Sequence, residues 1–361
     1  MADAHPLVLI TGGGTGGHVF PGLAAAAELM TRGARVRWLG TQGGMEAQLV
    51  PEAGIALDFL EVSGMRGKRR SEQLLAPLRL LRAVGQALRL LRRLRPACVL
   101  GTGGFVAGPG ALAAWLLRVP IVVHEQNAVA GTTNRLLARL ARHILLGLPG
   151  PFAGNARVQL VGNPVRAAIA ALPAPQQRLA GREGALRVLV LGGSQGARVL
   201  NETVPAALAL LEPERRPEVR HQCGKTQLAA CTENYRQSAV EARISAFIDD
   251  MAAAYAWADL VVCRAGALTL SELAAAGVPA LLVPLPTAID DHQSANARWL
   301  VDAGAAIVIA QRDFTPAWLA GELQRLGKAR AELLAMAIRT RTAALPDAAA
   351  RVATICLECA Q

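Results

Sequence analysis

Aromatic residues are scarce in this sequence, where they make up 4% of 361 residues. Proteins that bind single-stranded nucleic acid stack the bases on aromatic side chains, so this scarcity argues against such a function. Long apolar runs are also absent, because no stretch approaches the roughly 20 apolar residues of a membrane-spanning helix. The N-terminal sequence MADAHPLVLI lacks the charged region and the long apolar run of a signal peptide. We therefore expect a cytoplasmic protein.

Patterns typical of metal sites are also weak. Six cysteines are scattered along the chain, as expected of reduced thiols. Cys356 and Cys359 form a Cys-x-x-Cys motif, but no second pair completes a zinc site, and we expect two helix thiols. A metal-dependent transferase of the Asp-x-Asp type needs a spaced pair, whereas Asp290 and Asp291 are adjacent and diverge on a helix. We interpret these aspartates as helix N-terminal charges and expect no cofactor and no obligatory metal.

Positive charge is concentrated in one stretch. The net charge is +11, and residues 64–95 contain nine arginines, one lysine and one glutamate. Leucines recur there near helical spacing with arginines beside them, which favours a basic amphipathic helix on an anionic membrane surface. A packed helix with an arginine-rich solvent face is a close alternative, and a nucleic-acid patch ranks last. The leucines are Leu74, Leu78, Leu81, Leu88 and Leu91, and the arginines are Arg79, Arg82, Arg89 and Arg92.

Short apolar strands alternate with helical patterns along the whole chain. This alternation predicts an α/β fold with parallel sheets covered by helices on both faces, and the length suits two domains. We place the first domain at 1–163 and the second at 164–343, with a C-terminal helix over 344–361 that could return to the first. A Pro- and Gln-rich stretch, 172–183, resembles a linker. The predicted strands cover 7–11, 35–39, 57–61, 97–101, 119–124, 143–146, 157–161, 187–191, 217–222, 243–247, 259–263, 279–284 and 305–309.

Two glycine turns follow predicted strands, one in each half. The turn 12–17 lies between a strand and a helix, and the turn 192–196 repeats this arrangement. Such turns direct backbone N–H groups and a helix N-terminus at one point, which attracts phosphate. Ligands of open parallel sheets bind at the carboxyl ends of strands, so we expect a site between the two domains.

The first turn also matches the Gly-x-Gly-x-x-Gly fingerprint of dinucleotide-binding proteins. A nicotinamide-binding domain needs an acidic residue about 20 positions later, at the end of its second strand. Here that strand is followed by Gly40 and Thr41, neither of which can hold a ribose as a carboxylate does. A nicotinamide-dependent oxidoreductase is therefore a weak alternative.

Polar residues next to the predicted turns are candidates for chemistry. His18 directly follows the first turn, where a neutral imidazole could take a proton from a substrate hydroxyl; the alternative that we favour less is a structural histidine that caps or packs the turn. His124, Glu125, Gln126 and Asn127 follow a predicted strand, where they face a ligand or solvent. Glu272 could accept two hydrogen bonds from a ribose diol, or it could simply be a favourable carboxylate near a helix N-terminus.

Six sequence blocks together resemble the MurG family of peptidoglycan glycosyltransferases. The resemblance implies a GT-B fold, in which two Rossmann-like domains flank a deep cleft. It implies transfer of N-acetylglucosamine from UDP-N-acetylglucosamine to the lipid acceptor lipid I, at the cytoplasmic face of the inner membrane. Other enzymes of cell-wall synthesis are candidate partners, and no nucleic acid is expected. The blocks are GGGTGGHVFP (12–21), GTGGFVAGP (101–109), HEQNAVAGTTN (124–134), GNPVR (162–166), GGSQGAR (192–198) and CRAGALTLSELAAAGVPALLVP (263–284).

The resemblance also assigns residues to the donor site. It places the diphosphate at Ser194, the uracil at the backbone of Ile248 and the ribose at Glu272. Around 285–291 the sequence departs from the family pattern just before Gln293. The remaining residues implied for the donor are Thr15, Gly16, Gly17 and Asn127 beside the sugar, Arg166 at the donor site, Ala267, Leu268, Thr269, Leu270 and Ser271 at diphosphate and ribose, and Gln293.

The implied reaction is an inverting transfer that forms a β1→4 link. The C4 hydroxyl of the muramyl sugar attacks C1 of the donor, with His18 as the expected general base and Glu125 as the second candidate. Backbone N–H groups near Ser194–Gly196 and Ala267–Thr269 would stabilise departing UDP without a metal. A soluble UDP-N-acetylglucosamine epimerase of the same fold is the main alternative, and the basic amphipathic helix argues against it.

Overall fold

The computed structural model describes residues 5–62 and 76–360 and divides the chain into two units. Unit 1 comprises residues 1–165 and 347–361, and unit 2 comprises residues 166–346. Each unit contains one sheet of parallel strands with helices on both faces, seven strands in unit 1 and six in unit 2. The predicted α/β class is confirmed, and each predicted strand overlaps an observed one.

The sheet of unit 1 has the order β3-β2-β1-β4-β5-β6-β7. All six residues of its first strand are buried, as expected of a strand covered on both faces. Its strands are β1 (Leu7–Gly12), β2 (Arg35–Gly40), β3 (Ala56–Phe59), β4 (Cys98–Gly103), β5 (Ile121–Glu125), β6 (His143–Leu146) and β7 (Val158–Leu160), and its first helices are α1 (Gly16–Thr31), α2 (Glu46–Glu52), α3 (Ala76–Leu94), α4 (Ala107–Leu116) and α5 (Thr132–Leu137).

The sheet of unit 2 has the order β10-β9-β8-β11-β12-β13. Its strands are β8 (Arg187–Leu191), β9 (Glu218–Gln222), β10 (Arg243–Ser245), β11 (Leu260–Cys263), β12 (Ala280–Leu282) and β13 (Ala306–Val308). Its helices are α6 (Ala167–Ala170), α7 (Pro175–Arg178), α8 (Arg198–Ala209), α9 (Leu228–Gln237), α10 (Met251–Trp257), α11 (Ala267–Ala276), α12 (His292–Asp302), α13 (Pro316–Lys328) and α14 (Arg330–Thr342).

The last helix, α15 (Ala348–Cys359), belongs to unit 1. It packs against α1, where Val352 and Cys356 lie in the same buried cluster as Val8 and Ile10 of the sheet. The guanidinium of Arg32 also donates a 2.7 Å hydrogen bond to Thr354 Oγ1. Helix α15 therefore completes the apolar layer on one face of the first sheet.

The expectation that 172–183 is a linker is wrong. The guanidinium of Arg178 in α7 donates hydrogen bonds to the carbonyl oxygens of Ala258 at 3.0 Å and Gly277 at 2.7 Å. Arg182 forms a 2.7 Å ion pair with the buried carboxylate of Asp259. These arginines satisfy carbonyls at helix ends, which ties the segment into unit 2.

The basic stretch is only partly described, because 63–75 lies outside the described residues. Helix α3 covers its remainder, and its two halves differ. Ala83, Ala87 and Leu91 are buried, whereas Leu78 and Leu81 in the first turns are 64% and 68% exposed. Among residues 5–62 and 76–360, no helix is long and apolar enough to span a bilayer.

Candidate functional site

In each sheet, successive strands are added first towards one edge and then towards the other. The glycine loops follow the two adjacent strands at which this order changes. These strands are β1 and β4 in unit 1, and β8 and β11 in unit 2. Ligands of open parallel sheets bind at such a switch point, at the carboxyl ends of the strands. Each unit therefore presents one candidate half-site.

A buried carboxylate holds the first glycine turn in place. Glu46, the first residue of α2, is fully buried, and its Oε2 accepts the N–H of Gly14 at 2.9 Å. Its Oε1 accepts the backbone N–H and the hydroxyl of Thr41, at 2.9 and 2.6 Å. A Cβ atom at Gly13 in the turn, or at Gly44 just before α2, would collide with this carboxylate, so both positions need glycine. Sequence reasoning missed Glu46, since a lone glutamate near a helix start carries no distinctive signal.

Three of the predicted sugar-site residues of unit 1 lie at the start of α1, and the fourth, Asn127, follows β5. Thr15 is the N-cap of α1, Gly16 and Gly17 are its first residues, and Thr15 and Gly17 are exposed. His18 follows, half-buried, in the first turn of the helix. A Cβ at Gly103, the last residue of β4, would lie 2.7 Å from His18 Nδ1, so the end of β4 approaches the imidazole closely.

A hydrogen-bonded chain connects His18 to the end of β5. His18 Nδ1 lies 3.1 Å from Gln126 Oε1, and Gln126 Nε2 lies 3.2 Å from His124 Nδ1. His124 Nε2 in turn donates to the carbonyl of Gly162 at 3.0 Å. Burial lowers the pKa of His124, which favours its neutral form. The sequence identifies Gln126 only as one of four polar residues that follow a predicted strand, because the neighbouring residues do not predict its hydrogen-bond partner in α1.

Glu125 is buried, and four donors occupy its two oxygens. Oε1 accepts the backbone N–H of Asn127 at 3.0 Å and its side-chain amide at 3.2 Å. Oε2 accepts the N–H of Gly131 at 3.0 Å and the amide of Asn134 at 2.9 Å. The carboxylate thus organises the loop that carries Asn127.

The glycine turn of unit 2 exposes Ser194 between Gly193 and Gly196, which both have positive φ angles. Gln222 at the end of β9 holds this turn, because its side chain accepts the N–H of Gly193 at 3.0 Å and donates to its carbonyl at 3.1 Å. Helix α8 begins at Arg198, slightly later than the expected start near Ser194–Gly196. The N–H groups near Ser194 are therefore those of a loop that precedes the helix.

The second loop of unit 2 leads into α11, whose N-cap is Gly266. Ala267, Leu268 and Thr269 form its first turn, where backbone N–H groups lack intrahelical acceptors. Leu270 and Ser271 follow and are buried.

The side chain of Gln293 supports this loop. Its Oε1 accepts the N–H groups of Ala265 at 3.2 Å and Leu285 at 3.0 Å. Asp290 and Asp291 both adopt positive φ angles just before α12, and Ser294 Oγ donates to Asp291 Oδ1 at 2.7 Å. The two aspartates thus precede the helix in a tight turn, where the sequence departs from the family pattern.

Two of the predicted donor residues contact each other. Arg166 donates from Nη2 to Glu272 Oε1 at 2.8 Å, and the Tyr255 hydroxyl donates to Oε2 at 3.0 Å. Burial raises the pKa of Glu272, while the Arg166 guanidinium opposes this shift. Ile248 follows β10 and packs, partly buried, in the same apolar cluster as Tyr255. Among the described residues, no group of three or more His, Cys, Asp or Glu side chains is arranged to hold a metal ion.

Two family models match the chain and cover most of its length. The model described as the glycosyltransferase family 28 N-terminal domain matches residues 8–146, and the family 28 C-terminal domain matches residues 187–352. The chain belongs to glycosyltransferase family 28. It is therefore a glycosyltransferase, and its two glycine-loop half-sites lie in the two family 28 domains.

Relatives within family 28 resemble the chain over nearly its full length. A protein of Nitrosococcus oceani is 55% identical over 98% of both chains, and one of Alkalilimnicola ehrlichii is 56% identical over 97% of this chain and 98% of its own. Both are named UDP-N-acetylglucosamine–N-acetylmuramyl-(pentapeptide) pyrophosphoryl-undecaprenol N-acetylglucosamine transferase. These names do not favour the epimerase alternative.

Solved structures agree with this family 28 assignment. The crystal structure of Acinetobacter baumannii MurG has a TM-score of 0.83 and 39% identity, covering 98% of this chain and 99% of its own. The calicheamicin glycosyltransferase CalG4, at 18% identity, has a TM-score of 0.68 over 99% of this chain and 98% of its own and supports the fold alone. The resemblance drawn from the sequence blocks and the fold class that it implied are confirmed.

Proposed function

We propose that this chain transfers N-acetylglucosamine from UDP-N-acetylglucosamine to the C4 hydroxyl of the muramyl sugar of undecaprenyl-pyrophosphoryl-MurNAc-pentapeptide, forming lipid II. The observation that carries this proposal is the 55% identity over 98% of the chain to a relative named for this transfer. A hexosyl transfer of this kind needs a base for the hydroxyl, a holder for the nucleotide and stabilisation of the leaving diphosphate. The described residues offer a candidate for each task.

Unit 2 is the proposed holder of the donor. Ser194 and the first turn of α11 (Ala267–Thr269) follow adjacent strands and would donate backbone N–H groups to the diphosphate, so that leaving UDP is stabilised without a metal. Glu272 would accept the ribose hydroxyls, and Tyr255 and Arg166 hold its carboxylate in place. The backbone of Ile248 would meet the uracil.

Leu270, Ser271 and Gln293 complete the proposed nucleotide site. Gln293 would act by holding the backbone of Ala265 and Leu285 in place, as its hydrogen bonds in the structure indicate.

Unit 1 is the proposed holder of the acceptor, with His18 as general base. Within the described part of the chain no hydrogen bond occupies His18 Nε2, while Nδ1 is held by Gln126. A half-buried imidazole with one occupied nitrogen and one open nitrogen suits proton abstraction from a hydroxyl. Thr15, Gly16, Gly17 and Asn127 would line the sugar side of this half-site.

The start of α3 is the proposed membrane contact. Leu78 and Leu81 are largely exposed, and Arg79 and Arg82 accompany them on the same turns. Exposed leucines beside arginines favour binding to the interface of an anionic bilayer. These residues support a peripheral contact with a membrane. We infer that this membrane face is the cytoplasmic face of the inner membrane, where other enzymes of cell-wall synthesis are candidate partners.

The decisive experiment measures transfer of labelled N-acetylglucosamine from the UDP-sugar to a lipid I analogue, with and without EDTA. We expect a disaccharide-lipid product whose rate EDTA leaves unchanged. Release of free sugar or an epimerised UDP-sugar in place of this product would refute the transferase assignment. A rate that collapses with EDTA and returns with a divalent cation would refute the metal-independent mechanism.

A further inference from the structure

The hydrogen-bonded chain behind His18 is anchored at its far end by a backbone carbonyl. His124 is 1% exposed, and its Nε2 lies 3.0 Å from the carbonyl oxygen of Gly162. A carbonyl oxygen can only accept, so Nε2 must carry the hydrogen. Because burial keeps this histidine neutral, its Nδ1 then has a lone pair and can only accept.

The orientation of the Gln126 amide follows from two acceptors. Its Nε2 lies 2.8 Å from the Thr102 carbonyl oxygen and 3.2 Å from the accepting Nδ1 of His124. Both positions require a donor, so the amide NH₂ must point there and Oε1 must point the other way. The residue is 2% exposed, and Nε2 also donates to the backbone carbonyl of His124 at 3.2 Å, so a flipped amide would place Oε1 against two carbonyl oxygens.

The consequence reaches the imidazole of His18. Gln126 Oε1 can only accept, and it lies 3.1 Å from His18 Nδ1, so Nδ1 must carry a hydrogen. We propose that Gln126, oriented by His124 and Thr102, is a positioning residue that fixes neutral His18 as the Nδ1–H tautomer, with its lone pair on Nε2.

This inference deepens the proposed function, since it explains how the same nitrogen is always available as the base. An imidazole that accepts a proton at Nε2 becomes doubly protonated, and Nδ1–H continues to donate to Gln126 throughout the step. The amide therefore needs no reorganisation during the reaction, as is typical of a preorganised site. Gly103 contributes because any side chain there would displace the imidazole from this amide.

The tautomer can be measured directly on the wild-type protein. Long-range ¹H–¹⁵N correlation spectra of ¹⁵N-histidine-labelled protein distinguish an imidazole protonated at Nδ1 from one protonated at Nε2. The chain has six histidines, and the spectrum of His18→Gln identifies the resonances of His18 by their loss. We expect neutral His18 to be predominantly Nδ1–H. A predominantly Nε2–H form would overturn the proposal without reference to any variant's stability.

Gln126→Met removes both the donor and the acceptor at similar volume. We expect the Nδ1–H preference of His18 to weaken and kcat to fall about 10- to 100-fold, with little change in KM for the UDP-sugar. Gln48→Met is the matched control, because Gln48 is exposed on α2 of the same unit and should leave both quantities unchanged. An unchanged His18 tautomer in a folded Gln126→Met protein would refute the positioning role.

The two proposals fail in different ways. Suppose that His18 is Nδ1–H and that Gln126→Met changes its tautomer, but that His18→Ala retains full transfer activity. Gln126 then does set the tautomer of His18, and the assignment of His18 as the base is wrong. If His18→Ala abolishes transfer while wild-type His18 is Nε2–H, His18 remains the candidate base and the proposed positioning role of Gln126 is wrong.

Discussion

Replacing Glu46 with glutamine tests whether one buried carboxylate holds the first glycine turn. Three donors point at Glu46, namely the N–H of Gly14 and both the N–H and the hydroxyl of Thr41. A glutamine side chain has the same shape, but its NH₂ group must face at least one of these donors. Either the N–H of Gly14 or that of Thr41 then loses its acceptor inside the protein.

The expected cost follows from these contacts. A buried donor left without a partner costs about 1–3 kcal/mol, and the remaining bonds lose the strength that an ionised acceptor gives them. Removing a buried charge recovers part of this loss, so we expect a net destabilisation of about 2–3 kcal/mol. For a unit of roughly this length, each kcal/mol lowers the melting temperature by about 2–4 °C, which predicts a fall of about 4–12 °C.

The assay combines thermal unfolding, UDP calorimetry and transfer kinetics. Glu46→Gln should melt earlier and lose transfer activity, because the turn that precedes His18 is no longer held, while UDP affinity should be retained by unit 2. Glu52→Gln on the same helix is the control, since Glu52 is exposed and accepts one bond from Gln48. If Glu46→Gln melts within 1 °C of Glu52→Gln, the carboxylate does not hold the turn as described.

Four further predictions follow from the described geometry. His18→Ala should lower turnover about 100-fold or more while UDP affinity stays nearly constant, and equal activity would remove His18 from the mechanism. Glu272→Ala should weaken UDP binding measured by calorimetry; unchanged affinity would refute the ribose contact. Leu78→Ser with Leu81→Ser should reduce co-sedimentation with anionic vesicles without lowering the melting temperature, and undiminished binding would exclude this surface. Burial lowers the pKa of His221 to about 3, whereas an unfolded histidine titrates near 6.5, so the unfolded chain gains the proton first. The stability that neutral His221 contributes to unit 2 should therefore be complete above about pH 6.5 and decline towards pH 3, and His221→Asn should flatten this dependence in chemical denaturation.

Strands and glycine turns could be predicted from the sequence because they depend on short patterns of neighbouring residues. Apolar runs such as Leu7–Ile10 can only be buried, and a strand-turn-helix pattern fixes the direction of the next element. The start of α11 at Ala267 is therefore found where the sequence places it, whereas α1 begins at Gly16, inside the predicted turn 12–17. Parallel pairing then follows from the alternation of strands and helices.

The contacts that organise the site could not be predicted from the sequence, because the residues that form them are far apart along the chain. His18 and Gln126 are 108 residues apart, and Glu46 lies 32 residues from Gly14. The segment 172–183 looked like a linker because its composition is typical of one, yet Arg178 and Arg182 bind it to helix ends far along the chain. A composition cannot reveal which carbonyl a guanidinium will reach.

The position of α15 has a consequence for how the molecule is made. Unit 2 is one contiguous piece, 166–346, whereas the apolar layer of unit 1 is filled in part by Val352, Ala353 and Cys356. A ribosome therefore synthesises every residue of unit 2 before it reaches the last piece of unit 1. Unit 1, whose first strand is synthesised before all of unit 2, can complete this apolar layer only after unit 2 has been synthesised.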